Sequence, residues 1–140
     1  MIPALQRIDH IHVFVSDRPA AEAWYGAVLG FGRIKELEFW APDGGPLTLS
    51  DRSGIVHLAL FERRPEPCRS TIALATSAGD FLAWREHLAA ALPVPVALED
   101  HEVSWALYFK DPDGNLLRSP AMTTPNWPRS WGRGGAAKAD

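Results

Sequence analysis

Cysteine is nearly missing: Cys68 stands alone in 140 residues. A disulfide framework within the chain is thereby excluded, and the thiol content suits a reducing compartment. Cys68 itself reads as a small residue beside a linker. Charge of one sign is also lacking, since 14 Lys and Arg against 17 Asp and Glu leave a net charge of −3. That balance gives no electrostatic case for a nucleic-acid or membrane-surface partner. No apolar run approaches the ~20 residues that span a bilayer. The first residues lack the basic region and apolar core of a signal peptide before an alternating strand begins near Ile8, so a cytoplasmic protein is expected. No low-complexity tract precedes the tail, and no glycine-rich phosphate loop is present, because Gly132-Arg133-Gly134-Gly135 has no helix after it. What remains is 46% hydrophobic, enough for one compact domain with a real core.

An internal repeat organises that domain. At an offset of 60, Trp24 meets Trp84, Val28 meets Leu88, Leu47 meets Leu107, Leu49 meets Phe109, Asp51 meets Asp111 and Gly54 meets Gly114. The first strand fits better at 61, where Ile11 meets Ile72 and Val13 meets Leu74. The chain therefore reads as two copies of strand-helix-strand-strand-strand, 6–62 and 69–120, within a domain 1–120. Arg63-Arg64-Pro65-Glu66-Pro67 is the linker, its prolines disfavouring regular structure. Helices are expected near 18–29 and 78–91. Asp17, Pro19 and Gly30 supply cap, first turn and stop for the first, whose buried stripe is Ala21, Trp24, Val28 and optionally Tyr25. Ser77 with Asp80 resembles a capping box for the second, with Phe81, Trp84, Leu88 and Leu92 as its stripe and Pro93 as its stop.

The strands have two faces of different kinds. Ile11, Val13 and Val15 suit a core, as do Val56, Leu58 and Leu60, Ile72 and Leu74, and Val103, Trp105, Leu107 and Phe109. The opposite face mixes Ile8, His10, His12 and Phe14 with His57, Ala59 and Phe61, and Thr71 with Tyr108 and Arg118. Water could explain the polar members, but Phe14, Phe61 and Tyr108 suit a ligand-lining surface better. Asp111-Pro112-Asp113-Gly114-Asn115 reads as the turn between the last two strands. Residues 121–140 form an irregular proline- and glycine-rich tail, in which Trp127 and Trp131 either pack back on a surface or serve no function.

Asp9-His10 followed by Val15-x-Asp17, together with Asp100-His101-x-Val103-Ser104 and Asp111-Pro112-Asp113-Gly114-Asn115, resembles the glyoxalase/bleomycin-resistance/extradiol-dioxygenase superfamily over residues 7 to about 120. The resemblance implies an α+β fold in which two βαβββ modules form a cupped, incompletely closed eight-stranded mixed sheet around a cavity. It also implies a homodimer. His10 falls at the family's first metal-ligand position, His101 in a motif near the active site of extradiol-dioxygenase-like members, and Tyr108 at an aromatic just before the final turn. These three are the candidate catalytic residues.

Two departures matter. The family's second ligand His is matched by Thr71, and its Glu, four residues after Gly114, by Arg118. A permanently cationic guanidinium repels a metal and removes the carboxylate that would neutralise it. No cofactor is therefore expected. The alternative is a divalent Zn, Fe, Mn or Ni ion, or copper, held by His10 and His57, with His12 as a third imidazole. His57 otherwise serves as a cross-sheet hydrogen-bonding residue and His12 as the polar half of an alternating strand. The expected activity is binding of a small, partly apolar, anionic molecule by His12, Phe14, Trp40, His57, Phe61, Thr71 and Arg118. The alternative is a lyase, isomerase or dioxygenase-type enzyme using His10, since imidazole titrates near neutrality.

Overall fold

The computed structural model of the chain describes residues 1–66 and 68–122. It divides after Glu66 into two compact units. The first unit runs β1 (Ile11–Val15), α1 (Arg18–Leu29), β2 (Gly32–Arg33), β3 (Leu47–Ser50) and β4 (His57–Glu62). Its four-stranded sheet has the order β1-β4-β3-β2, with β1 parallel to β4 and the other neighbours antiparallel. The second unit repeats the plan with β5 (Thr71–Ala73), α2 (Phe81–Ala91), β6 (Ala97–Asp100), β7 (Ser104–Lys110) and β8 (Leu116–Met122). Its order is β5-β8-β7-β6, with β5 parallel to β8. The fold is thus α+β, built of two βαβββ modules, with the eight expected strands shared between two mixed sheets.

Local chemistry explains the elements. The Asp17 carboxylate accepts a hydrogen bond from the Ala20 backbone N–H at 2.9 Å, and Gly30 ends α1 in the left-handed region at φ 72°. Val13 and Val15 of β1, Leu58 and Leu60 of β4, and Leu47 and Leu49 of β3 are buried with Ala21, Tyr25 and Val28 of α1. Each such Val or Leu contributes about 1.5–3 kcal/mol by leaving water. In the second unit Phe81 and Leu88 of α2 are buried, as are Trp105, Leu107, Phe109 and Leu117 of β7 and β8.

The repeated turn has one mechanism in both units. The Asp51 carboxylate accepts from the N–H groups of Ser53, Ile55 and Val56 at 3.1, 2.9 and 2.9 Å and from the Ser53 hydroxyl. The Asp111 carboxylate accepts from the N–H groups of Asp113 and Asn115 at 2.9 and 2.8 Å and from the Asn115 side-chain amide at 2.7 Å. Gly54 and Gly114 close these turns at φ 73° and 84°, a region that excludes most other residues.

Four expectations need correction. Trp24 and Trp84 are only half-buried. The α1 contact face centres on Ala21, Tyr25 and Val28, so Trp24 lies at its edge with its ring against Tyr25 at 4.9 Å. Trp84 is displaced likewise and meets His87. The second helix starts at Phe81 rather than 78, because the Ser77 hydroxyl and Asp80 hold a separate turn ahead of it. Val103 is exposed: it precedes β7 in a tight turn where Glu102 has φ 68°. Finally, β8 continues to Met122, past the expected limit of 120, since Ala121 pairs with Trp105 and is buried. Pro120 is accommodated because the β5 ladder stops at Ala73 opposite Arg118, leaving only the Pro120 carbonyl to accept from Thr76 at 3.0 Å. Trp127 and Trp131 lie outside the described residues.

Candidate functional site

The alternation of β1 and β4 puts His12 and Phe14 beside Phe61 on the face opposite the buried leucines, with His10 just before β1 and His57 at the start of β4. Their parallel register sets His12 against Ala59 and Phe14 against Phe61. His10 and His12 approach with their Nε2 atoms 3.1 Å apart. Asp9 accepts from His10 Nδ1 at 2.8 Å, and that hydrogen bond, aided by the charges of Arg7 and the nearby histidines, holds the Asp9 carboxyl below its ordinary range. Beyond them the His12 ring meets Phe61 at 4.7 Å and Phe61 meets Phe14 at 6.0 Å. The Arg63 guanidinium lies over both phenyl rings, 4.9 Å from Phe14 and 5.4 Å from Phe61. Asp9 and Arg63 are members that sequence reasoning missed. Adjacency to His10 signals the first. The second continues the Phe61 face of β4 by one alternation.

The second sheet carries a separate cluster. Arg118 stands between Ala73 on one neighbouring strand and Tyr108 on the other. Its guanidinium lies 5.4 Å from the centre of the Tyr108 ring. Its Nε is buried and, among the described residues, has no hydrogen-bond partner. The two small alanines of the row, Ala73 and Ala97, leave the guanidinium and the phenol as its large groups. The Tyr108 hydroxyl lies 3.0 Å from His101 Nε2, and Glu99 lies 3.5 Å from the same nitrogen. Glu99 therefore neighbours His101, and no ion pair reaches Arg118 among the described residues. Thr71, two residues from Ala73, is exposed.

Trp40 ends a 3-10 segment, Lys35–Trp40, and its ring meets Phe39 at 5.3 Å rather than the strand-face aromatics. Near it is a cleft of about 560 Å³ lined by Arg18, Glu22, Arg33, Glu38, Leu47 and Glu62. Its charges are already matched. Arg33 donates to both Glu22 oxygens at 2.5 and 2.8 Å, which lowers the Glu22 carboxyl from its ordinary range. Arg18 donates to the carbonyls of Gly45 and Ala41 at 2.6 and 2.9 Å. These contacts fasten the loop between β2 and β3 and leave no group asking for a ligand.

Among the described residues, no three His, Cys, Asp or Glu side chains converge as a metal site. His10 and His12 come together, but His57 does not complete a three-imidazole cluster with them. At the positions that the family resemblance assigns to the second and third ligands, Thr71 offers a neutral hydroxyl and Arg118 a cation with a buried donor. A divalent ion needs acceptors, so this donor set does not fit the family's metal.

Comparison with known proteins gives this geometry a family. The family model described as Glyoxalase/Bleomycin resistance protein/Dioxygenase superfamily matches residues 7–118. No curated protein matches the chain by sequence. Among solved structures, a glyoxalase/dioxygenase from Nostoc punctiforme is 16% identical, with a TM-score of 0.67 over 89% of this chain and 100% of that one. A fosfomycin resistance protein from Listeria monocytogenes is 20% identical, with a TM-score of 0.63 over 88% and 96%. One from Mesorhizobium loti is 14% identical, with a TM-score of 0.62 over 86% and 95%. At these identities the structures share the fold. The chain belongs to the glyoxalase/bleomycin resistance protein/dioxygenase superfamily.

Proposed function

We propose that the protein binds a small, partly apolar anion through Arg118 without the family's metal. The observation that carries this reading is the buried Arg118 Nε–H, which lacks an acceptor among the described residues. An unsatisfied buried donor costs about 1–3 kcal/mol, and more when charged. A carboxylate, phosphonate or enolate would accept that hydrogen and gain a charge-assisted bond. Tyr108, whose ring already meets the guanidinium at 5.4 Å, offers an apolar surface for the rest of the ligand. The Tyr108 hydroxyl and His101 add polar contacts that fix orientation. We place the protein in the cytoplasm as a homodimer. Among the described residues no helix is long and apolar enough to cross a membrane.

The test uses benzoate and its neutral analogue benzamide as probes, titrated into the protein and into Arg118→Ala. A charge-assisted hydrogen bond of about 1.5–3 kcal/mol corresponds to a loss of roughly 10- to 150-fold for benzoate. Benzamide affinity should change little. Equal loss for both probes, or no loss for either, refutes the reading.

A second reading, an enzyme, is favoured by one distance: His101 Nε2 and the Tyr108 hydroxyl are 3.0 Å apart. With Nε2 unprotonated, the imidazole accepts the phenol proton, and the pair can relay a proton to a ligand anchored by Arg118. Turnover that disappears in Tyr108→Phe while ligand binding persists would establish this reading.

A further inference from the structure

We propose that Glu99 is a positioning residue of the anion site: it holds a proton on His101 Nε2, which makes the Tyr108 hydroxyl a hydrogen-bond donor to the bound anion. This assignment rests on the anion-binding reading and adds to it the residue that sets the polarity of the phenol.

Alternation brings the groups to one face. Ala97, Glu99 and His101 are spaced by two along β6 and its end, and Tyr108 lies opposite Ala97 with Arg118 on its other side. Glu99 pairs with Ala106, so on that face these two stand between Tyr108 and His101. The Ala106 methyl is too small to separate the phenol from the imidazole, and the hydroxyl reaches Nε2 at 3.0 Å. The Glu99 carboxylate reaches the same Nε2 at 3.5 Å. Asp100 belongs to the other face by alternation and is committed to the turn, where it accepts from the Glu102 N–H at 2.8 Å.

One ring nitrogen serves both neighbours in only one protonation state. An unprotonated Nε2 accepts from the phenol but turns its lone pair toward a carboxylate 3.5 Å away, which is repulsive. A protonated Nε2 is attracted to Glu99 and donates to the phenol oxygen, so both contacts are favourable. The phenol has a single proton. Once its oxygen accepts from His101, that proton points away from the imidazole. A carboxylate held by the Arg118 Nε–H then meets a second donor, where the reverse hydrogen bond would offer it a lone pair. Water screens the pair, since the Glu99 and His101 side chains are 39% and 38% exposed, and limits the bias to roughly two- to fivefold. The proton relay of the second reading needs the hydrogen bond in the opposite direction, so Glu99 favours binding over relay.

Two measurements on the full chain test this. A long-range nitrogen–proton correlation spectrum at neutral pH, with His101 assigned by its loss in His101→Gln, reports whether Nε2 carries a proton. It should do so in the parent protein, and the protonated fraction should fall in Glu99→Gln. Benzoate titration then completes a cycle of Glu99→Gln and Tyr108→Phe. Removing the Glu99 charge also removes a repulsion toward benzoate, but that effect is present in both backgrounds and cancels in the cycle. The remaining coupling should make Glu99→Gln roughly two- to fivefold more harmful in the parent than in Tyr108→Phe. Circular dichroism on each variant separates loss of the site from loss of the fold. An Nε2 without a proton in the parent overturns the proposal, as does protonation unchanged by Glu99→Gln or a cycle without coupling. If Arg118→Ala leaves benzoate binding intact, the anion-binding reading falls, while the His101 spectrum still scores Glu99 separately.

Discussion

Arg118→Met should stabilise the ligand-free protein. The native guanidinium holds a buried Nε–H with no acceptor among the described residues. Relieving such a group returns about 1–3 kcal/mol. The substitution forfeits the contact with the Tyr108 ring, worth about 0.5–1 kcal/mol. Methionine keeps an apolar stem of comparable length, so packing beside Ala73 and Tyr108 is largely preserved. The net expectation is a gain of about 0.5–2 kcal/mol. Urea unfolding followed by tryptophan fluorescence and circular dichroism measures it, with a higher midpoint at an unchanged slope as the expected result. A binding residue that costs stability in the empty protein is the pattern of a functional position. Destabilisation by more than about 1 kcal/mol would show that the guanidinium supports the fold, and the reasoning from its missing acceptor would then be wrong.

Asp51 should make the first unit sensitive to acid. Burial alone would raise its carboxyl, but hydrogen bonds from the Ser53 hydroxyl and from the N–H groups of Val56, Ser53 and Ile55 outweigh burial and lower it from 3.8. The folded protein therefore binds fewer protons than the unfolded chain in that range. The stability is fully present above the unfolded value and is lost as pH falls through the folded one. The difference in unfolding free energy between the protein and Asp51→Asn should shrink below about pH 4, and a pH-independent difference would contradict it. Gly114→Ala should cost about 1–2 kcal/mol from its positive φ alone, since nothing lies within 4 Å of the added methyl. Leu60→Ala should cost about 2–5 kcal/mol as a fully buried truncation, read as a lower urea midpoint. Sedimentation at micromolar concentration should give twice the chain mass, and a monomer would remove the homodimer from the account.

Much of the fold was legible because it rests on local rules. Asp17 and Gly30 bracket α1 as their chemistry demands, and the two D-x-x-G turns share one carboxylate-capped geometry. Alternation also placed His12 and Phe14 on one face of β1 and Arg118 with Tyr108 on one face of the second sheet. Helix faces were less legible. Trp24 and Tyr25 are one residue apart, and apolar spacing alone does not say which of the two points inward. Partners of the site residues were the least legible. The Glu99 side chain turns to His101 and not to Arg118. Side-chain rotamers decide that choice, and spacing does not encode them. The ring partner of Trp40 was equally hidden, because the conformation of the β2–β3 loop sets it against Phe39.

Anion binding turns on one hydrogen, the buried Nε–H of Arg118. Its resonance in a nitrogen–proton correlation spectrum, assigned by its disappearance in Arg118→Met, reports directly on whether it gains an acceptor. Adding benzoate should shift that resonance downfield and slow its exchange with water, whereas benzamide should leave it nearly in place. Saturating benzoate binding with the Arg118 Nε–H unmoved would contradict the account.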